Sequence, residues 1–60
     1  MKTFQTKDPY LLMSLLNTAL RDESSSLEDL CRTYNLNKEQ IEKTMASIDY
    51  YYNQEVNQFK

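Results

Sequence analysis

Glycine and histidine are missing from this 60-residue chain, and cysteine and proline occur once each. Without glycine there is no glycine-rich loop, which excludes the usual backbone cradles for phosphate. Without histidine the commonest proton-transfer side chain is gone, leaving Cys31, the serines and the carboxylates as the leading catalytic candidates. A single cysteine cannot close an internal disulfide, and with no histidine beside it a structural zinc site lacks its ligands. Long apolar runs are absent too. The longest, Tyr10 to Met13, falls far short of the roughly 18 residues that a membrane span requires. The opening MKTFQTKDPY has neither the apolar stretch nor the small-residue cleavage site of a secretory signal, so the expected location is the cytoplasm.

What is present has the balance of a globular domain: 40% hydrophobic and 27% charged residues. A chain of this length forms one domain, 1–60, and buries only about 60% of the surface it exposes when unfolded. Its core is therefore small. The net charge of -2 and a pI near 4.9 repel nucleic acid and anionic lipid at long range.

Residues 1–7 carry no periodic apolar pattern and read as an arm, with Phe4 the one side chain expected to dock on the core. Residues 8–49 read as three helices. Asp8 can accept the free N–H groups of a first helical turn, and Pro9 suits the first helical position, where its missing N–H would be unpaired anyway. The first helix runs from Pro9 to about Arg21. On a helical wheel its apolar residues Leu11, Leu12, Met13, Leu15, Leu16, Ala19 and Leu20 fill an arc of roughly 200°, whereas a core-facing helix needs little more than 100°. Either the arm and the C-terminal segment wrap over the excess, or a second copy of the protein does.

After the polar break RDESSS, Ser26 and Asp29 form a capping box with Asp in the place of the usual Glu or Gln. Leu27, Leu30, Cys31 and Tyr34 then follow at i, i+3, i+4, i+7. This second helix stops at Asn35, the residue best able to turn left-handed in a chain without glycine. Leu36 is expected to be buried. A second capping pattern from Asn37 to Gln40 opens a third helix whose Ile41, Met45 and Ile48 share one face. The predicted core is thus a tri-helical helix-turn-helix. In residues 50–60 the tyrosines, valine and asparagines favour a short β-hairpin, Tyr50 to Tyr52 against Val56 to Phe59, which makes the domain winged-helix-like. The alternative is a continuous third helix, because Ile41, Met45, Ile48, Tyr52, Val56 and Phe59 also fit one helical stripe.

The stretch DPYLLMSLLNTALRDESSSLEDLC and the closing NQF resemble a family of very short bacterial proteins known as domain of unknown function 4250. Asp8, Pro9, Tyr10, Asn17, Leu20, Arg21, Asp22, Glu23, Ser26, Leu27, Leu30, Cys31, Asn57, Gln58 and Phe59 carry the likeness. It implies no activity. Members of that family tend to have glycine after the last helix, where this chain has Asp49.

Each catalytic candidate has a simpler structural role. Cys31 lies on an apolar stripe, where cysteine behaves as a small hydrophobe. Asp8, Glu28, Asp29 and Glu39 fall in first turns, where they complement the helix dipole. Arg21 is expected to pair with Glu28 or Asp29. No catalytic, cofactor or metal residue is assigned, and the chain is read as a non-enzyme. The expected function is protein–protein interaction, as a homodimer or with another protein, through Leu11, Met13, Leu15 and Tyr51. Exposed tyrosines elsewhere in the triplet Tyr50–Tyr52 are expected to alternate with core-capping ones. The alternative is a DNA-binding regulator using Arg32, Lys38, Gln40 and Lys43, a weaker reading because Glu28, Asp29, Glu39 and Glu42 share those surfaces.

Overall fold

The computed structural model describes residues 4 and 6–60, and the remaining part of the predicted arm lies outside them. Three helices, α1 (Pro9–Asp22), α2 (Leu27–Tyr34) and α3 (Lys38–Ala46), are followed by two short strands, β1 (Tyr52–Asn53) and β2 (Gln58–Phe59). Each helix starts where a polar side chain takes up an orphan backbone donor. Asp8 accepts from the Tyr10 N–H at 3.0 Å, Ser26 from that of Asp29 at 3.0 Å, and Asn37 from that of Gln40 at 3.1 Å. The capping box on α2 is skewed: Asp29 turns its carboxylate to the Ser25 N–H, at 3.5 Å, rather than to that of Ser26.

The ends of α2 and α3 are closed by left-handed residues that are not glycine. Asn35 has φ 55° and Asp49 has φ 63°. Around Asp49 the Tyr50 N–H reaches back to the Met45 carbonyl, and the Asp49 N–H to that of Ala46, both at 3.0 Å. This is the pair of bonds of a Schellman turn. The helix therefore ends before Ile48, somewhat earlier than the sequence pattern suggests, and the continuous-helix alternative is not adopted. Asp49 thus takes a conformation that glycine adopts most readily.

The hairpin is shorter than expected. Tyr52 faces Phe59 and Asn53 faces Gln58 in an antiparallel ladder, which Tyr51 and Lys60 extend by exchanging both backbone bonds at 3.0 and 2.9 Å. Tyr50 is outside it because its N–H is used in closing α3. Val56 is also outside: the connection runs from Gln54 to Asn57, with Asn57 left-handed at φ 54°, so Val56 sits in the loop and is 46% exposed.

The core comprises Leu12, Leu16, Ala19 and Leu20 of α1, Leu27, Leu30 and Cys31 of α2, Ile41 and Met45 of α3, and Phe59 of β2. Fully burying a leucine or phenylalanine contributes about 1.5–3 kcal/mol, so each of these few side chains matters. The aromatic residues close the edges. Phe4 docks on the core and meets Tyr34 edge-on at 5.0 Å, and Tyr52 tilts against Phe59 at 5.7 Å. Tyr50, Tyr52 and Leu36 are half-buried against the core, while Tyr51 points away.

Candidate functional site: the outer face of the first helix

The hairpin is fastened to α1 by a polar clasp. Asn17, on α1, donates through Nδ2 to the Phe59 carbonyl at 3.2 Å and accepts the Phe59 N–H on Oδ1 at 2.7 Å. Its side-chain amide thus pairs with β2 as a neighbouring strand would. Gln58 donates through Nε2 to the Asn17 carbonyl at 3.0 Å. Asn57 caps the end of α1, donating to the carbonyls of Leu20 and Ser24, both at 2.9 Å, and its Oδ1 accepts from the Tyr52 hydroxyl at 2.6 Å. The same hydroxyl accepts the Leu27 N–H at 3.2 Å, a donor at the first turn of α2 that has no intrahelical partner. Sequence reading placed Phe59 in the hairpin but missed this network. A hint lay in the polar residues Asn57 and Gln58 adjoining an apolar residue that had to be buried.

With α2, α3 and the hairpin packed on it, α1 retains one open stripe. Leu11, Ser14, Leu15 and Thr18 recur on it at i, i+3, i+4, i+7, the spacing of one helical face. Leu11 is 49% exposed, Leu15 and Thr18 are half-buried, and Tyr10 beside them is 58% exposed. Thr18 donates its hydroxyl to the Ser14 carbonyl at 2.8 Å, so its polar group is satisfied within the helix. No charged residue occurs from Pro9 to Leu20. Charge appears only at the ends, with Lys7 and Asp8 before the helix and Arg21 and Asp22 at its close.

The predicted interface residues divide. Leu11 and Leu15 lie on this stripe, whereas Met13 is half-buried and packs on the core. Tyr51 lies elsewhere, in a groove with Glu39, Glu42, Lys43 and Ala46 of α3. The alternative nucleic-acid residues Arg32, Lys38, Gln40 and Lys43 are all exposed. Arg32 is 3.5 Å from Asp29, and Lys43 shares its groove with two carboxylates. The expected pairing of Arg21 with Glu28 or Asp29 does not form: Arg21 Nε is 3.1 Å from its neighbour Asp22, because Asp29 is turned toward Ser25 and Arg32. Cys31 is buried, and burial pushes its thiol above the usual range, with Lys38 pulling it partly back and Glu42 adding to the rise. At neutral pH it is a thiol, the poorly nucleophilic form. Among the described residues no cluster of histidine, cysteine and acidic side chains has the makings of a metal site, and no helix is long and apolar enough to cross a membrane.

The family profile of "Domain of unknown function (DUF4250)" matches residues 6–59. The chain belongs to this family. No curated protein and no solved structure is matched by it. Most residues that carry the DUF4250 likeness have a structural task on this fold: Asp8, Ser26 and Asn57 cap helices, Leu20, Leu27, Leu30, Cys31 and Phe59 fill the core, and Asn17 with Gln58 forms the clasp. Tyr10 stands apart. It is among the most exposed large side chains of the domain, and it borders the uncharged stripe.

Proposed function

We propose that this DUF4250 domain is a non-catalytic binding module of the cytoplasm that associates with protein through the outer face of α1. The supporting observation is the uncharged stripe of Leu11, Ser14, Leu15 and Thr18, with Tyr10 at its border. A solvated helix face ordinarily carries charge, as the exposed sides of α2 and α3 do with Glu28, Arg32, Glu39, Glu42 and Lys43. Depletion of charge together with an exposed tyrosine is a compositional mark of a protein contact. Leu11 and Leu15 supply apolar area, and Tyr10 adds a broad ring with few rotamers to lose.

The DNA-binding reading of the winged-helix-like arrangement rests on the exposure of Arg32, Lys38, Gln40 and Lys43. It is the weaker of the two. Phosphate contacts supply most non-specific affinity, and here the basic side chains are interleaved with Glu39, Glu42 and Asp29. A photo-crosslinking residue at position 11, activated in cells that express the protein, separates the readings. A covalent adduct with protein, absent when the probe is moved to the solvent side of α3 at Glu42, is the expected result. No protein adduct at position 11, together with salt-sensitive retardation of duplex DNA, would overturn it in favour of DNA.

A further inference from the structure

The distribution of charge around the α1 stripe points to one occupant for it. A helix of 14 residues is about 21 Å long at 1.5 Å per residue, and this one carries Lys7 and Asp8 just ahead of its first turn and Arg21 and Asp22 in or after its last. Each end thus sets a positive and a negative residue side by side, and the C-cap Glu23, which accepts the Tyr34 hydroxyl, adds a second acid at the far end. Turn a second copy end over end and the order of signs is complementary: Lys7 comes opposite the second copy's Asp22, and Asp8 opposite its Arg21. The same register sets Leu11 against Thr18 and Ser14 against Leu15, a large residue facing a small one each time. We propose that the α1 stripe pairs with the same stripe of a second copy, antiparallel and about a two-fold axis near Ser14 and Leu15. This rests on the reading of that face as a protein contact.

Each ingredient suits such a pairing. Ser14 and Thr18 let the helices approach closely, and the Thr18 hydroxyl brings no unsatisfied donor into the contact because it already binds the Ser14 carbonyl. Asp8 uses Oδ1 for the Tyr10 N–H, which leaves its second oxygen for an arginine. In a two-fold dimer each contact occurs twice, so the ends contribute four cross-pairs in all, in which Arg21 and Asp22, 3.1 Å apart within each chain, are shared with the second copy. A parallel arrangement would set Lys7 on Lys7 and Asp22 on Asp22, like on like. The area is modest. Two helices of this length bury well below the roughly 1,600 Å² of standard stable complexes, so the dimer is weak, with a dissociation constant on the order of 10 μM to 1 mM.

Charge reversal on the full chain tests the register by sedimentation equilibrium up to about 1 mM. Lys7→Glu and Asp22→Lys are each expected to weaken dimerisation about tenfold, through lost pairs and new repulsions at both ends. An equimolar mixture of the two variants should regain wild-type association as a heterodimer. Both changes place charge favourably for the α1 dipole, acid at the start and base at the end, so lost association does not come from a weakened helix. A wild-type chain that stays monomeric at 1 mM, or single reversals that the mixture does not rescue, would overturn the proposal. The photo-crosslink at position 11 keeps this failure distinct from that of the broader reading. An adduct of twice the chain mass supports self-pairing, an adduct with a different protein keeps the α1 face and overturns the second copy as its occupant, and no adduct overturns both.

Discussion

Replacing Asp49 with glycine should stabilise this domain, although it deletes a side chain. Asp49 sits at φ 63°, where the Cβ of an L-residue crowds its own backbone at a cost of about 1–2 kcal/mol, reduced for aspartate and asparagine by their short polar side chains. Glycine removes that cost and loses about 0.5–1 kcal/mol through its freer unfolded state. A second gain comes from charge: a carboxylate following the C-terminus of α3 faces the negative end of the helix dipole, which is unfavourable by about 0.3–1 kcal/mol. The net expectation for Asp49→Gly is about 0.5–1 kcal/mol of added stability. In a domain of this size that raises the melting temperature by about 2–8 °C, measured by circular dichroism at 222 nm. Asp49→Asn isolates the charge contribution, and Asp49→Ala, which keeps the Cβ, should lower the melting temperature. The contrast is Asn57→Gly. It relieves the same backbone conformation, at φ 54°, but strips the donors to the Leu20 and Ser24 carbonyls and the acceptor for the Tyr52 hydroxyl. At about 1 kcal/mol per bond it should destabilise by about 2–3 kcal/mol. A lower melting temperature for Asp49→Gly, or a higher one for Asn57→Gly, would refute this account of the turns.

Asn17→Leu removes both bonds to the Phe59 backbone and should cost about 2–3 kcal/mol in urea unfolding, with hydrogen exchange at the Phe59 amide rising more than at the Met45 amide. Cys31 supplies a pH test: because burial raises its folded pKa above the unfolded value, its contribution to stability is complete below the unfolded thiol pKa of about 8.5. It falls as pH rises through the folded value. The stability difference between wild type and Cys31→Ala should therefore be largest near pH 7 and shrink above about pH 9, while a flat difference across that range would contradict a buried neutral thiol.

The sequence was most informative where one residue type answers one physical demand. Asp8 with Pro9, Ser26, and Asn37 each mark a helix start because few side chains accept a bond from the first turn, and Asn35 marks a stop because few tolerate a positive φ. The same logic extends to Asp49, but aspartate serves caps, turns and ion pairs alike, so its role as a left-handed helix stop was not legible. The hairpin limits were harder to read. Tyr50 has the preference of a strand residue, yet its N–H is used to close α3. Val56 is apolar and yet exposed, since the left-handed residue that ends the loop had to be Asn57. Side-chain bonds across the fold were not legible at all: Asn17 and Phe59 are 42 positions apart, and no local pattern announces that an amide on α1 will stand in for a strand. For the same reason the sequence grouped Tyr51 with Leu11 and Leu15, where the fold assigns Tyr51 to the α3 side.

The open stripe of α1 is what the rest of the fold leaves behind. Helices α2 and α3 fill one side of α1 and Phe59 another, while Asn17 spends its side chain holding the hairpin in place, so of the roughly 200° apolar arc only the edge at Leu11 and Leu15 stays open. A stripe remaining only as a by-product of packing would be under no constraint to stay uncharged, and a lysine or glutamate at position 11, 14 or 18 would suit an exposed helix at least as well as leucine, serine or threonine. The outward faces of α2 and α3 show that this chain does put charge on exposed helix positions. The proposed protein contact accounts for the absence of charge over twelve residues of α1, and the order of the flanking charges, Lys7 and Asp8 before the helix and Arg21 and Asp22 at its close, is the ground for proposing an antiparallel second copy as the occupant.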